Sequence, residues 1–156
     1  MIYVASSWRN LWQPAVVELL RADGHEVYDF RQPGPGNNGF HWSEIDPSWQ
    51  LWTPDAFREG LRHPLAVEGF ATDMKALRNS SACLLVLPCG NSAHLELGWA
   101  VGARKQTAVL FPVGLWAERP GCGDVEPELM LKMADDVLVD VEELRTWSHE
   151  LKRGAL

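Results

Sequence analysis

The chain has 156 residues, 46% hydrophobic and 22% charged, with a formal net charge of -7, which predicts one globular domain with a single sizeable core. That acidic balance argues against polymeric nucleic acid as a partner, because a broad surface would repel phosphates. Three cysteines without metal-ligand spacing, no basic leader before an apolar run and no 18-residue apolar span predict a soluble, reduced, cytoplasmic protein without metal site or membrane contact.

In chain order, Ile2 to Ala5 reads as a first strand. Asn10 to Ala22 reads as a helix with Leu11, Ala15, Val16, Leu19 and Leu20 as its apolar stripe, closed by Gly24, which tolerates a left-handed C-cap. Glu26 to Phe30 reads as a short second strand. A helix carrying Phe70 to Leu77 ends near Asn79, and Ala82 to Leu87 is a buried third strand stopped by Pro88 and Gly90. The next helix is expected from Ser92, a good N-cap type. Thr107 to Phe111 and Asp136 to Val141 read as the fourth and fifth strands, with a helix over Pro127 to Ala134 between them. A last helix runs from Val141 to Leu151. Strands alternating with helices predict an α/β fold, a doubly wound five-stranded parallel sheet with helices on both faces.

One segment breaks this rhythm. Residues 31–53 hold Trp42, Trp49 and Trp52 among several prolines, and loops of that length inside a domain tend to be lids or binding loops. The tryptophans either stack on a planar ligand or pack as a small extra core or subunit contact. Residues 1–156 are read as one domain carrying this Trp-rich insert.

The chemistry concentrates between Leu87 and Lys105. Glu96 is the only acid between Ser80 and Glu118. Four residues after Ser92, it shares that residue's helix face and is placed at the carboxyl end of a buried strand, where open α/β sheets hold their ligands. It is the leading catalytic candidate. Ser6-Ser7-Trp8-Arg9-Asn10 joins the first strand to its helix at the same edge. Hydroxyls, helix N–H groups and a guanidinium there suggest an anion site, against the alternative that Ser7 or Asn10 merely caps the helix and Arg9 is solvated. Asp73, near the end of its helix, reads either as a proton donor or base acceptor in the cleft or as a surface charge paired with Lys75 or Arg78. His94 is two residues before Glu96, so it points about 160° away on a helix and reads as a helix-start or interface residue. Nucleophile-elbow, paired-histidine zinc, Walker and dinucleotide-fingerprint motifs are missing from the sequence.

Tyr3-Val-Ala-Ser-Ser-Trp-Arg-Asn10, Asp73 in its helix and Gly90-Asn-Ser-Ala-His-Leu-Glu-Leu-Gly98 resemble the nucleoside 2-deoxyribosyltransferase superfamily, which includes nucleotide N-glycosidases. The resemblance runs from the first strand to Ala134. It implies a flavodoxin-like fold and a glutamate nucleophile, matched by Glu96, that attacks the anomeric carbon of a nucleoside. It further implies that Ser7, Trp8, Arg9 and Asn10 hold the 5′ end of the substrate, that Asp73 is the family aspartate, and that Gly90 and Ser92 form the sugar-contacting turn. Met130 resembles the residue a neighbouring subunit lends to the site, which implies a homodimer or higher homo-oligomer. His94 and the Trp-rich insert depart from the better-known transferases.

The expected activity is cleavage of the N-glycosidic bond of a nucleoside or nucleoside 5′-monophosphate, by hydrolysis or base transfer, through a covalent glycosyl-glutamate. That chemistry requires no metal or redox cofactor. Two other readings stand beside it: a nucleotide-binding or sensing module without turnover, and an NAD-cleaving glycohydrolase. A cleft carboxylate favours an enzyme over a binder of anions, which gains nothing from a second negative charge.

Overall fold

The computed structural model describes residues 1–112 and 128–153. Its strands are β1 (Ile2–Ala5), β2 (Val27–Asp29), β3 (Ala82–Val86), β4 (Gln106–Leu110) and β5 (Asp136–Leu138). All pair in parallel in the order β2-β1-β3-β4-β5, the flavodoxin-like winding, which puts a switch point between β1 and β3. The helices are α1 (Gln13–Ala22), α2 (Pro54–Gly60), α3 (Pro64–Asn79), α4 (Asn91–Gly102) and α5 (Val141–Arg153).

Successive strand residues point to opposite faces, so the core splits in two. Ile2, Val4, Leu84 and Leu110 meet Val16, Val17 and Leu20 of α1 and Leu144 and Trp147 of α5. Tyr3, Ala5, Tyr28, Cys83 and Leu85 meet Leu77 of α3 and Ala93, Leu97 and Ala100 of α4. β1 and β3 are buried along their whole length, as central parallel strands covered by helices must be.

Several boundaries differ from the sequence expectation, each for a local reason. The first helix begins at Gln13 rather than Asn10, because the Asn10 side chain accepts the N–H groups of Trp12 and Gln13 and holds the chain in a turn. Leu11 lies in that turn and is exposed, so it is not part of the apolar stripe. Gly24, at φ 83°, takes the expected left-handed turn. Gly90, not Ser92, is the N-cap of α4, because its extended backbone already directs Asn91 into the helix. Ser92 lies in the first turn, exposed. The helix expected over Pro127 to Ala134 is a short 3₁₀ turn, Leu129–Met133, with Pro127 outside the described residues. Just beyond it the Asp135 carboxylate accepts from the backbone N–H and hydroxyl of Thr107 (both 2.8 Å), drawing the chain toward β5 before a helix can extend. β5 stops at Leu138, as Asp140 accepts the Glu143 N–H (2.8 Å) and opens α5.

The insert is more ordered than a structureless loop. It holds 3₁₀ turns at Trp42–Glu44 and Trp49–Leu51 and runs into α2. Trp42 packs against Phe40, Trp52 and Phe57, and Trp52 donates its indole N–H to Asp46 (2.6 Å). Trp42 and Trp52 thus pack half-buried against their neighbours within the insert, while Trp49 is exposed.

Candidate active site

β1 and β3 lie side by side with Ala5 opposite Leu85, so the chain segments leaving them emerge together. Two polar side chains join them. The Ser6 hydroxyl donates to the Val86 carbonyl (2.8 Å), and the Asn10 amide donates to the carbonyls of Val86 (3.1 Å) and Pro88 (2.9 Å). With its Oδ1 accepting two N–H groups, Asn10 is buried with its hydrogen-bonding groups all occupied inside the protein. Its side chain has no capacity left for a substrate, and its place in a 5′ site is corrected to that of a clamp between the two loops. The same bonds occupy the Trp12 and Gln13 N–H groups, so those two amides are not open to an anion.

A second clamp was not foreseen. Arg31, just after β2, donates from Nη2 to the carbonyls of Ser7 (2.8 Å), Trp8 (3.2 Å) and Asn10 (2.7 Å). Its guanidinium lies 5.7 Å from the centre of the Trp8 ring, whose other neighbours are Phe30 and His41. Trp8 is thereby fixed in place while keeping an exposed edge. The Ser7 hydroxyl accepts the Arg9 N–H (3.2 Å). The Arg9 side chain is exposed, without an ion pair among the described residues.

Glu96 lies one turn into α4, beside the buried Ala93 and Leu97. Burial, and after it the nearby charge of Asp73, raise its carboxyl pKa to about 8, with the Tyr3 hydroxyl favouring the carboxylate in opposition. That hydroxyl is itself buried and closes no hydrogen bond of normal geometry, so its influence on Glu96 is that of a nearby dipole. Asp73, from α3, is not a surface charge. It accepts a 2.6 Å hydrogen bond from the Tyr28 hydroxyl, and its carboxyl is also pushed upward by burial, with Tyr28 opposing. Asp73 further lines a cavity of about 170 Å³ between α3 and the insert, with Asn37, Phe40, Glu44, Glu68 and Thr72 on its walls.

The fold brings Glu96 and Asp73, two residues singled out in the sequence, near enough for their charges to interact, and behind them stand two tyrosines that the sequence reading passed over. Tyr3 and Tyr28 are register partners on β1 and β2, with rings 5.1 Å apart and nearly parallel. A tyrosine inside an otherwise aliphatic strand was the available signal, since a buried phenol calls for a polar partner. Gly90 leads into α4 as its N-cap. His94 turns back to the Gly90 carbonyl (3.1 Å) and the Cys89 thiol (3.5 Å), in keeping with a helix-start residue. Met130 lies on the 3₁₀ turn near α4, 62% exposed, beside a separate cavity of about 270 Å³ that His94, Leu97 and Met133 also line. No protein-family model matches the chain, and no curated protein matches it.

Proposed function

We propose that this chain cleaves the N-glycosidic bond of a nucleoside or nucleoside 5′-monophosphate, with Glu96 as nucleophile. The observation that carries the reading is the pairing of two mostly buried carboxyls, Glu96 of α4 and Asp73 of α3, beside the phenols of Tyr3 and Tyr28. Desolvated carboxyl pairs suit glycosidic chemistry, where one group attacks and the other handles a proton. The resemblance read in the sequence supports the same assignment.

In this mechanism a Glu96 carboxylate oxygen bonds to C1′ as the C1′–N bond breaks, and the bonding pair leaves with the base nitrogen. Asp73 supplies a proton or a hydrogen bond to the departing base. Water or a second base then attacks C1′ from the opposite side, giving its proton to the Asp73 carboxylate as the C1′–Glu96 bond breaks, so two inversions give net retention. Arg9 and Ser7, beside the fixed Trp8 ring, are assigned to the 5′ end of the substrate, and Gly90 and Ser92 to the sugar. The working form is assigned as a homodimer in which Met130 of one chain borders the cleft of the other.

The test is incubation with a panel of nucleosides, nucleoside monophosphates and NAD, with released base read by chromatography. Wild type should release base at a rate that climbs with pH toward about 8, where Glu96 becomes ionised. Glu96→Gln keeps the shape without the charge and should lower turnover by several orders of magnitude, about 10³-fold or more. Near-normal release by folded Glu96→Gln would overturn the assignment.

A further inference from the structure

Tyr28 is buried on the edge strand, and nothing in the proposed reaction uses it directly. Its hydroxyl donates to Asp73 Oδ1 at 2.6 Å, the length of a charge-assisted O–H···O⁻ bond. Its ring is held against Tyr3 by strand register and ring contact, so neighbouring strands present one phenol beside each carboxyl. We propose that Tyr28 is a positioning residue that fixes Asp73 through Oδ1, leaves Oδ2 to the cleft, and sets the proton shared by the two carboxyls on Glu96. What that proton is used for rests on the glycosidase reading; the pairing itself does not.

The physics is a competition for one proton. Two desolvated carboxyls near each other do not both ionise easily. A phenol that donates to one of them stabilises its anion, and the proton moves to the other. Attack by Glu96 requires that this proton leave it, and its passage to Asp73 readies the nucleophile and the acid in one transfer. The groups facing the pair are Tyr3 from β1, Tyr28 from β2, Cys83 from β3 and Cys89 from the loop after it. Both thiols are pushed up by burial and by Glu96, Cys89 to about 12, and stay protonated. Across the cavity Glu44 and Glu68 face Asp73, and their charges act equally in all the variants compared below.

The experiment is a carbon-13 carboxyl titration of the whole protein, which needs no substrate. In wild type Glu96 should titrate near 8. Tyr28→Phe keeps the ring against Tyr3 and removes only the donor. Asp73 should then hold the proton, and the Glu96 midpoint should fall by about one pH unit or more. In an Asp73→Asn background the midpoint should already lie below that of wild type while still held up by burial, and adding Tyr28→Phe should move it no further. An unmoved midpoint in folded Tyr28→Phe, or an equal displacement in both backgrounds, would overturn the proposal. Should Tyr28→Phe fail to fold, Asp73→Asn alone decides: a lowered Glu96 midpoint supports proton sharing, and an unchanged one overturns it. Base release is measured separately on the same proteins. Titrations as described with no turnover from wild type overturn the glycosidase reading and leave the pairing intact, whereas turnover with an unmoved midpoint overturns the pairing alone. With turnover in hand, the rising limb of the Tyr28→Phe rate against pH should move to lower pH together with the Glu96 midpoint, at nearly constant KM.

Discussion

Glu96 illustrates how a buried carboxyl burdens the fold that holds it. In the unfolded chain its carboxyl ionises near 4.5, and in the folded protein near 8. Folding therefore binds a proton between those values. The stability associated with this group is complete below pH 4.5 and is lost as pH rises through about 8. Glu96→Gln should be more stable than wild type by a few kcal/mol at pH 9, with the difference vanishing near pH 4.5. Thermal denaturation of both proteins across that range checks it, and equal stability at pH 9 would show that Glu96 is not desolvated. Arg9 carries no such burden, being exposed. If it meets a 5′-phosphate, Arg9→Ala should weaken nucleoside monophosphates about tenfold or more while leaving nucleosides nearly unchanged. Equal losses for both would make the residue structural.

At the scale of elements, the insert is docked by close approach rather than by area. A Cβ at Gly39 would lie 2.3 Å from the Phe30 carbonyl and 2.8 Å from the Trp8 ring, and its φ is +77°. Gly39→Ala should cost about 2–3 kcal/mol and loosen Trp8, read by chemical denaturation and by proteolysis of the insert. Gly36→Ala, also left-handed but in open space, should cost only about 1 kcal/mol. Matching losses would mean that the contact with Trp8 does not matter. Elements with strong periodicity, such as β1, β3 and the helix ending near Asn79, were legible in the sequence because one register alone buries their apolar residues. α2 was not, since seven residues beginning Pro54-Asp55 carry no stripe. Arg31 was equally hidden: its partners are three carbonyls more than 20 residues away, and carbonyls leave no trace in a sequence. Glu96 and Asp73 were legible as candidates, whereas the burial that gives them chemistry is a property of packing.

For the whole molecule, the side of the sheet that carries the site is unusually apolar outside. Leu95 of α4 is 75% exposed and Leu129 of the 3₁₀ turn 82%, with Met130, Met133 and Trp99 also exposed. Within the described residues Met130 does not pack inside its own domain, so a charge there need not unfold the chain. Met130→Glu should give a folded monomer by light scattering and circular dichroism, with activity abolished, if this surface is the subunit contact. A wild type that is monomeric and active at micromolar concentration would refute the dimer. Among the described residues no helix is long and apolar enough to cross a membrane.

The three-residue strand β2 has a consequence that reaches beyond its size. Tyr28 points to the carboxyl pair, while its neighbour Asp29 points to the opposite face and accepts from the Gln13 side chain (2.7 Å). A slip of one residue against β1 would exchange the two faces. Asp29 would then enter a space that already holds two acids competing for one proton, and the phenol that relieves them would be gone. Misregister at this edge is thus opposed by charge as well as by packing, so the carboxyl pair acts as a proofreader of strand alignment.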